Sequence, residues 1–358
     1  MSITVEAQKI LEHLIMEDEK NPVKVALFGQ PGAGKSSIVN KLVGKKVAKV
    51  SPRTDTTQSS SDYQMEDKQE FASNSMLIVD LPGYGTSKFP KEGYYDNFAL
   101  DEIDLFLCVF SGKFHSSDTE LFNLLKAKGK QCIFIRNKSD DIWDDDENID
   151  KLYQTIIDDL RSQIKSNEQV IFTSCRNGNG FEELNEAIYR SLDITKKEKW
   201  VRSAKAYSIA FLEEKKKACE KLVILFSGLS AVNGINPIPG ADVAVNVAII
   251  LKMFSKIKEY FGLDDRALDN IVKTVPFILQ AANNVINYAQ KQGVILLLQK
   301  YIGQYVVQDF AKYIPLVGQA AAASSGFALS YSSGKFYLNE CYDVAKAILE
   351  NELVRSKK

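Results

Sequence analysis

The sequence predicts an α/β domain with a doubly wound, mostly parallel sheet, joined to an all-α helical domain. Strand-like apolar runs alternate with helical patterns over residues 23–192. A glycine-rich turn, Gly29-Gln30-Pro31-Gly32-Ala33-Gly34-Lys35-Ser36, separates the first run from a helical pattern that begins at Lys35. From residue 196 onward the spacing of apolar residues is that of nearly continuous helix.

Near the amino terminus, Ile3, Ala7, Ile10, Leu11, Leu14 and Ile15 fall on one helical face. A short helix of this kind needs an apolar partner, and the C-terminal helices can supply one. Strands are expected at 23–28, 62–66, 76–79, 105–110, 131–136 and 170–173, with helices after the glycine-rich turn and at 117–128, 147–165 and 180–192. Helical spacing then runs to 260 and resumes at 265–292, 294–312 and 319–352. Gly/Pro-rich breaks at 233–240 and 313–318 read as corners between antiparallel helices. The expected domains are 1–20, a helix packing with the helical domain; 21–195, the α/β domain; and 196–358, the helical domain.

The apolar stretches 222–232 and 243–251 are each about half the ~20 residues that span a bilayer. Asn233, Asn236, Asp242 and Asn246 lie between and within them and are costly in lipid. Bundle core is the favoured reading, and surface insertion of an amphipathic helix is the alternative. The alanine-rich run 320–328 reads as close helix packing.

At 358 residues, 45% hydrophobic and 25% charged, the chain can bury at least two cores. Its net charge of −1 leaves no electrostatic footprint for nucleic acid. The lysine-rich pieces 195–199 and 213–217 stand beside acidic residues in helical patterns and read as solvated faces. Cys108, Cys132, Cys175, Cys219 and Cys341 form no C-x-x-C pair, which suggests reduced thiols and not a disulfide framework or zinc site. His13 and His115 are too few for a metal cluster. Met1-Ser2-Ile3 carries neither a signal peptide nor a myristoylation glycine, and Ser356-Lys357-Lys358 is no prenylation motif. The expected location is cytoplasmic, with peripheral attachment to intracellular membranes as an extension of it.

The glycine-rich turn is a complete phosphate-binding loop. Gly29, Gly32 and Gly34 let the backbone fold so closely that successive N–H groups, with Ala33 among them, converge on the α- and β-phosphate oxygens. The helix start at Lys35, Ser36 and Ser37 adds partial positive charge. Lys35 is expected to reach the β/γ-phosphates and Ser36 to hold Mg²⁺.

Three later segments turn this into a guanine-nucleotide site, that of a Ras-like P-loop GTPase domain. In Asp80-Leu81-Pro82-Gly83, Asp80 is expected to hold the Mg²⁺ shell and the Gly83 N–H to sense the γ-phosphate. Asn137-Lys138-Ser139-Asp140 closes a strand-like run. Its Asp140 carboxylate can accept from guanine N1–H and the exocyclic amine, whereas adenine would leave the charge unpaired. Thr173-Ser174-Cys175 follows the last strand, where its backbone would touch guanine O6. Between the loop and Asp80, the polar run 51–61 is placed as a first switch, with Thr57, or failing it Thr56, completing the Mg²⁺ shell in the GTP state. Tyr84 follows Gly83 where Ras-type enzymes carry a water-orienting glutamine. Asp55, Arg53 or groups from a second molecule are the candidates for that task.

Two kinds of segment extend the likeness beyond the nucleotide motifs. Asp80-Leu81-Pro82-Gly83-Tyr84-Gly85-Thr86 with Phe89-Pro90 resembles the second switch of the immunity-related (interferon-inducible) GTPases, a branch akin to the dynamin superfamily. Pro237-Ile238-Pro239-Gly240-Ala241-Asp242, Tyr260-Phe261-Gly262-Leu263-Asp264-Asp265 and Ile314-Pro315-Leu316-Val317-Gly318 resemble parts of that family's helical domain. The segment 233–242 is also similar to a helical domain behind some bacterial GTPases. The resemblance implies a Mg²⁺-dependent GTPase, cycling between GTP and GDP, that forms a GTP-dependent homodimer or oligomer across its nucleotide face. It further implies transient contact with intracellular membranes, in defence or remodelling. In that family an acidic residue two before the Mg²⁺-binding threonine is tied to activation by dimerisation, and Asp55 stands there relative to Thr57, where glutamate is usual. Gln30-Pro31, Asn137 and the absent N-terminal lipid anchor depart from the family pattern. A slow-hydrolysing, GTP-dependent binding module that recruits partner proteins is the competing reading, and a GTPase of RNA maturation is disfavoured by the charge balance.

Overall fold

The computed structural model describes residues 21–44, 76–85, 87, 89–233, 241–302 and 325–356, together with Lys9 and His13. Two compact units are separated by a cut between Tyr207 and Ser208. The first, Pro22–Tyr207, is built on a sheet of order β2-β1-β3-β4-β5. Its strands are β1 (Val23–Gly29), β2 (Met76–Asp80), β3 (Leu105–Phe110), β4 (Cys132–Asn137) and β5 (Val170–Thr173). Every neighbouring pair is parallel. Central strands of a parallel sheet are covered on both faces, which is why β3 reads Leu-Phe-Leu-Cys-Val-Phe and is buried throughout. The expected strand at 62–66 and the first switch at 51–61 lie outside the described residues.

The connecting helices are α1 (Lys35–Val43), a single turn α2 (Tyr94–Asn97), α3 (Ser116–Ala127), α4 (Ile149–Ile164), α5 (Phe181–Ser191) and α6 (Ile194–Ser203). Phe114, Phe122 and Phe134 meet edge to face at 5.8 and 5.0 Å under α3. The sequence pattern merged α6 with the helix after it and put the domain boundary at 195; the structure moves the cut to after Tyr207. The reason is packing. Trp200 is wholly buried, Lys196 pairs with Asp104 at 3.1 Å and donates to the Pro22 carbonyl, and the Lys205 N–H donates to the Leu42 carbonyl.

The second unit contains α7 (Ile209–Asn233), α8 (Ala241–Tyr260), α9 (Asp265–Thr274), α10 (Leu279–Tyr288), α11 (Lys291–Ile302) and α12 (Ser325–Ser356). The helical pattern over 265–292 is broken by Pro276, which lacks an N–H and forces Val275 out of the helical region (φ −135°, ψ 79°). In the stretches 222–232 and 243–251, Leu222, Val223, Phe226, Val247 and Ile250 are buried, the packing favoured from sequence over surface insertion. Phe254 stacks on Tyr337 at 4.0 Å, tying α8 to α12. Among the described residues no helix is long and apolar enough to cross a membrane. The corner 313–318 and nearly all of 1–20 lie outside the described residues.

Candidate functional site

In the first unit the motif residues collect where β1, β2, β4 and β5 end, the carboxyl edge at which open parallel sheets bind ligands. β1 ends at Gly29 with φ +125°, and a Cβ there would lie 2.1 Å from the Val109 carbonyl oxygen, so only glycine lets the chain leave the sheet so close to β3. The loop returns at Gly34, φ +93°, which precedes α1 without a side-chain cap. The first N–H groups of α1 therefore keep the capacity to bind an anion.

Lys35 is nearly buried, and its ammonium folds back to donate to the Gly29 and Gln30 carbonyls at 2.9 and 3.2 Å. Both bonds are to neutral acceptors, which an anionic oxygen can replace with a stronger charge-assisted bond. The buried Gln30 amide donates to the Lys113 carbonyl, fastening the loop to the segment before α3. Ser36, one residue on, donates to the Asp80 carboxylate at 2.7 Å. Asp80 is 1% exposed at the end of β2 and is held there as the Leu81 N–H donates to the Leu27 carbonyl. A hydroxyl and a carboxylate so close are hard oxygens suited to Mg²⁺, which binds few protein groups and keeps several waters.

Beyond Asp80, the Pro82 carbonyl accepts from the Tyr94 hydroxyl at 2.6 Å, and Tyr84 packs edge-on against Tyr94 at 5.1 Å. Burial pushes the Tyr94 phenol well above its ordinary range, so it stays a donor. Gly83 lies on this anchored segment, half-buried.

Asn137 is buried against the phosphate loop. Its amide donates to the Ala33 carbonyl at 2.7 Å and its oxygen accepts from the Thr173 hydroxyl at 3.2 Å and the Cys175 thiol at 3.6 Å. A Cβ on Gly34 would come within 2.4 Å of that amide. One side chain thus joins loop, β4 and β5. Burial raises the Cys175 thiol to about 11, which keeps it protonated and a donor.

Lys138 takes a left-handed conformation, φ 57°, and turns the chain into the short turn that carries Asp140. The Ser174 hydroxyl, first, and then Arg176 and Lys138 hold the Asp140 carboxyl below its ordinary value, so it is an anion at neutral pH. Ser174 is itself fixed, wholly buried, with its oxygen accepting from the Arg176 and Asn177 N–H groups. Arg176 was not singled out from sequence; the available signal was a cation immediately after Thr173-Ser174-Cys175. Its guanidinium lies 2.8 Å from Asp140. Thr57, Asp55 and Arg53 lie outside the described residues.

A family model described as Interferon-inducible GTPase (IIGP) matches residues 3–352. The chain is similar to Interferon-gamma-inducible GTPase 10 of Mus musculus, 23% identical over 364 residues that span 96% of this chain and 85% of that protein. It is also similar to T-cell-specific guanine nucleotide triphosphate-binding protein 2 of Mus musculus, 22% identical over 375 residues, spanning 98% and 87%. A crystal structure of Aquifex aeolicus Era bound to GDP.AlF4- is 20% identical, with a TM-score of 0.37, covering 58% of this chain and 66% of that one.

Proposed function

The chain belongs to the interferon-inducible GTPase family and is a GTPase; we propose that it binds and turns over GTP at the carboxyl ends of β1, β2, β4 and β5. The observation that carries this placement is the 2.7 Å contact of Ser36 with Asp80, beside the folded-back Lys35. Backbone N–H groups from Gly32 to Ser37 receive the α- and β-phosphates. Lys35 exchanges its two carbonyls for β/γ-phosphate oxygens. Ser36 and Asp80 would hold Mg²⁺, with Thr57 expected to join them in the GTP state. A bound Mg²⁺ would supply positive charge that offsets the charge developing on the phosphates. Asp140 accepts from the guanine edge, and Asn137 keeps the loop and the base-binding turn in register.

Tyr84 is engaged against Tyr94, which favours a source other than its own position for orienting the attacking water. Asp55 or Arg53, or a second copy docked across the nucleotide face, fills that role. Self-association in the GTP state and action at an intracellular membrane, in defence or remodelling, rest on the family resemblance. The Tyr84 contact equally supports a second reading, a slow-hydrolysing module that uses GTP to recruit partner proteins.

Equilibrium binding of GDP, GTP and ATP with Mg²⁺, to wild type and Lys35→Ala, tests the placement. Guanine nucleotides should bind and ATP should not, with the variant about ten- to a hundredfold weaker, the loss of roughly 1.5–3 kcal/mol expected for a charge-assisted contact. Equal binding by Lys35→Ala would place the nucleotide elsewhere.

A further inference from the structure

We propose that Arg176 is a built-in stand-in for the guanine base: its guanidinium occupies the Asp140 carboxylate when no nucleotide is bound, and guanine enters by displacing it. This rests on Asp140 being the base-reading residue. The Arg176 Nη1 lies 2.8 Å from Asp140 Oδ2 and 3.6 Å from Asp141 Oδ1. The side chain of Asp140 is only 14% exposed, whereas that of Arg176 is 77% exposed. The head of the arginine thus reaches in from solvent, while the Arg176 N–H, donated to the Ser174 oxygen at 3.2 Å, fixes the root of the side chain.

The chemistry of the two occupants is alike. Guanine presents N1–H and an exocyclic amine on adjacent nitrogens of one carbon, a planar donor pair. A guanidinium presents the same N–C–N donor pair with a positive charge added. The contact in the structure is a salt bridge through one nitrogen, Nη1, and what the two occupants share is the Asp140 carboxylate they would compete for. Adenine offers no such pair and cannot take the place of the arginine.

Because Arg176 is exposed, its ion pair is weak, worth a factor of up to about fivefold in an equilibrium. That is enough to compete with guanine but too little to block it. Guanine nucleotides then bind up to about fivefold less tightly than the bare site allows. As GDP leaves, Arg176 catches the freed carboxylate, so release is faster. A ligand held by its phosphates alone does not engage Asp140 and is indifferent to the competition.

The sign of one substitution separates this role from the others open to an arginine here. Removing a cation that attracted phosphates, or one that stacked on the base, weakens binding; removing a competitor tightens it. GDP and ADP affinities and the GDP dissociation rate should be measured for wild type, Arg176→Ala and Arg176→Gln with Mg²⁺. The same Arg176 changes should be made in Asp140→Asn, with xanthosine diphosphate as ligand. The expected result is a GDP Kd about two- to fivefold lower with slower release in both variants. ADP binding should be no tighter, and the Arg176 changes should have no effect in the Asp140→Asn background. Unchanged or weaker GDP binding in both variants overturns the stand-in. Failure of wild type itself to bind GDP is a different result, and it overturns the guanine reading of the site.

Discussion

The Ser36 hydroxyl donates to the Asp80 carboxylate at 2.7 Å, which links the first turn of α1 to the end of β2 across 44 residues of sequence. Two segments remote in the chain thereby present a preformed pair of hard oxygens beside Lys35. Under the proposed function, these are the two oxygens that would hold Mg²⁺.

Ser36→Ala removes one of the two groups and leaves the fold intact. Mg²⁺ affinity in the GDP complex should fall at least about tenfold, since even outer-shell partners of a metal are worth that much. A Mg²⁺ titration of GDP binding reads this directly, and the half-saturating Mg²⁺ for GTP turnover should rise with it. An unchanged half-saturating Mg²⁺ concentration would remove Ser36 from the metal site.

Asp140→Asn should exchange guanine for xanthine, because the amide donates where the carboxylate accepts; GDP affinity should drop at least about a hundredfold. The pH dependence has a defined sign. The folded Asp140 lies below its ordinary value, chiefly through the Ser174 hydroxyl, so its anion persists above the unfolded value of about 3.9 and is lost only at still lower pH. The preference for GDP over ADP, which carry the same phosphates, should be flat between about pH 8 and 5, and a loss of that preference between pH 6 and 5 would contradict the assignment.

Asn137→Ala removes the amide that bonds the Ala33 carbonyl and the oxygen that receives Thr173 and Cys175. The unit Pro22–Tyr207 should lose about 1–3 kcal/mol of stability, visible as a lower urea midpoint, and GDP should bind more weakly as loop and base-binding turn drift apart. A midpoint equal to wild type would mean that these bonds are replaced by water at no cost.

Asp118, in the first turn of α3, is buried, and its Oδ2 lacks a hydrogen-bond partner. Burial raises its carboxyl, opposed by His115 and Lys35. An acid whose folded value is raised penalises the folded state above that value, and the penalty disappears as pH falls to the unfolded value of about 3.9. Asp118→Asn should therefore raise the thermal midpoint at pH 7, with the gain shrinking toward pH 4. A gain that grows as pH falls would reverse the sign and exclude this account.

What the sequence made legible was local. Gly29 to Ser36 and Asn137 to Asp140 announce themselves because each motif is contiguous and flanked by an apolar run that can only be a buried strand. The Asp140–Arg176 pair was not legible, since it joins residues 36 apart that meet only when β4 and β5 align. The bond from Asn137 to the Ala33 carbonyl was not legible either, because it depends on how closely Gly34 approaches β4. The boundary at 195 failed because helical periodicity does not say which core a helix joins; Trp200 answered that by burying in the first unit.

Of the candidates for orienting the attacking water at a site with no glutamine after Gly83, the one tied to the family resemblance is a second copy of the chain. Steady-state GTP turnover per molecule, measured against protein concentration with Lys35→Ala as the inactive control, tests it most directly. The account predicts a specific rate that climbs with concentration and levels off as the dimer saturates. A rate that stays constant across the whole concentration range would contradict it and leave Asp55 or Arg53 of the same copy, or the slow, solitary binding module, as the reading of this chain.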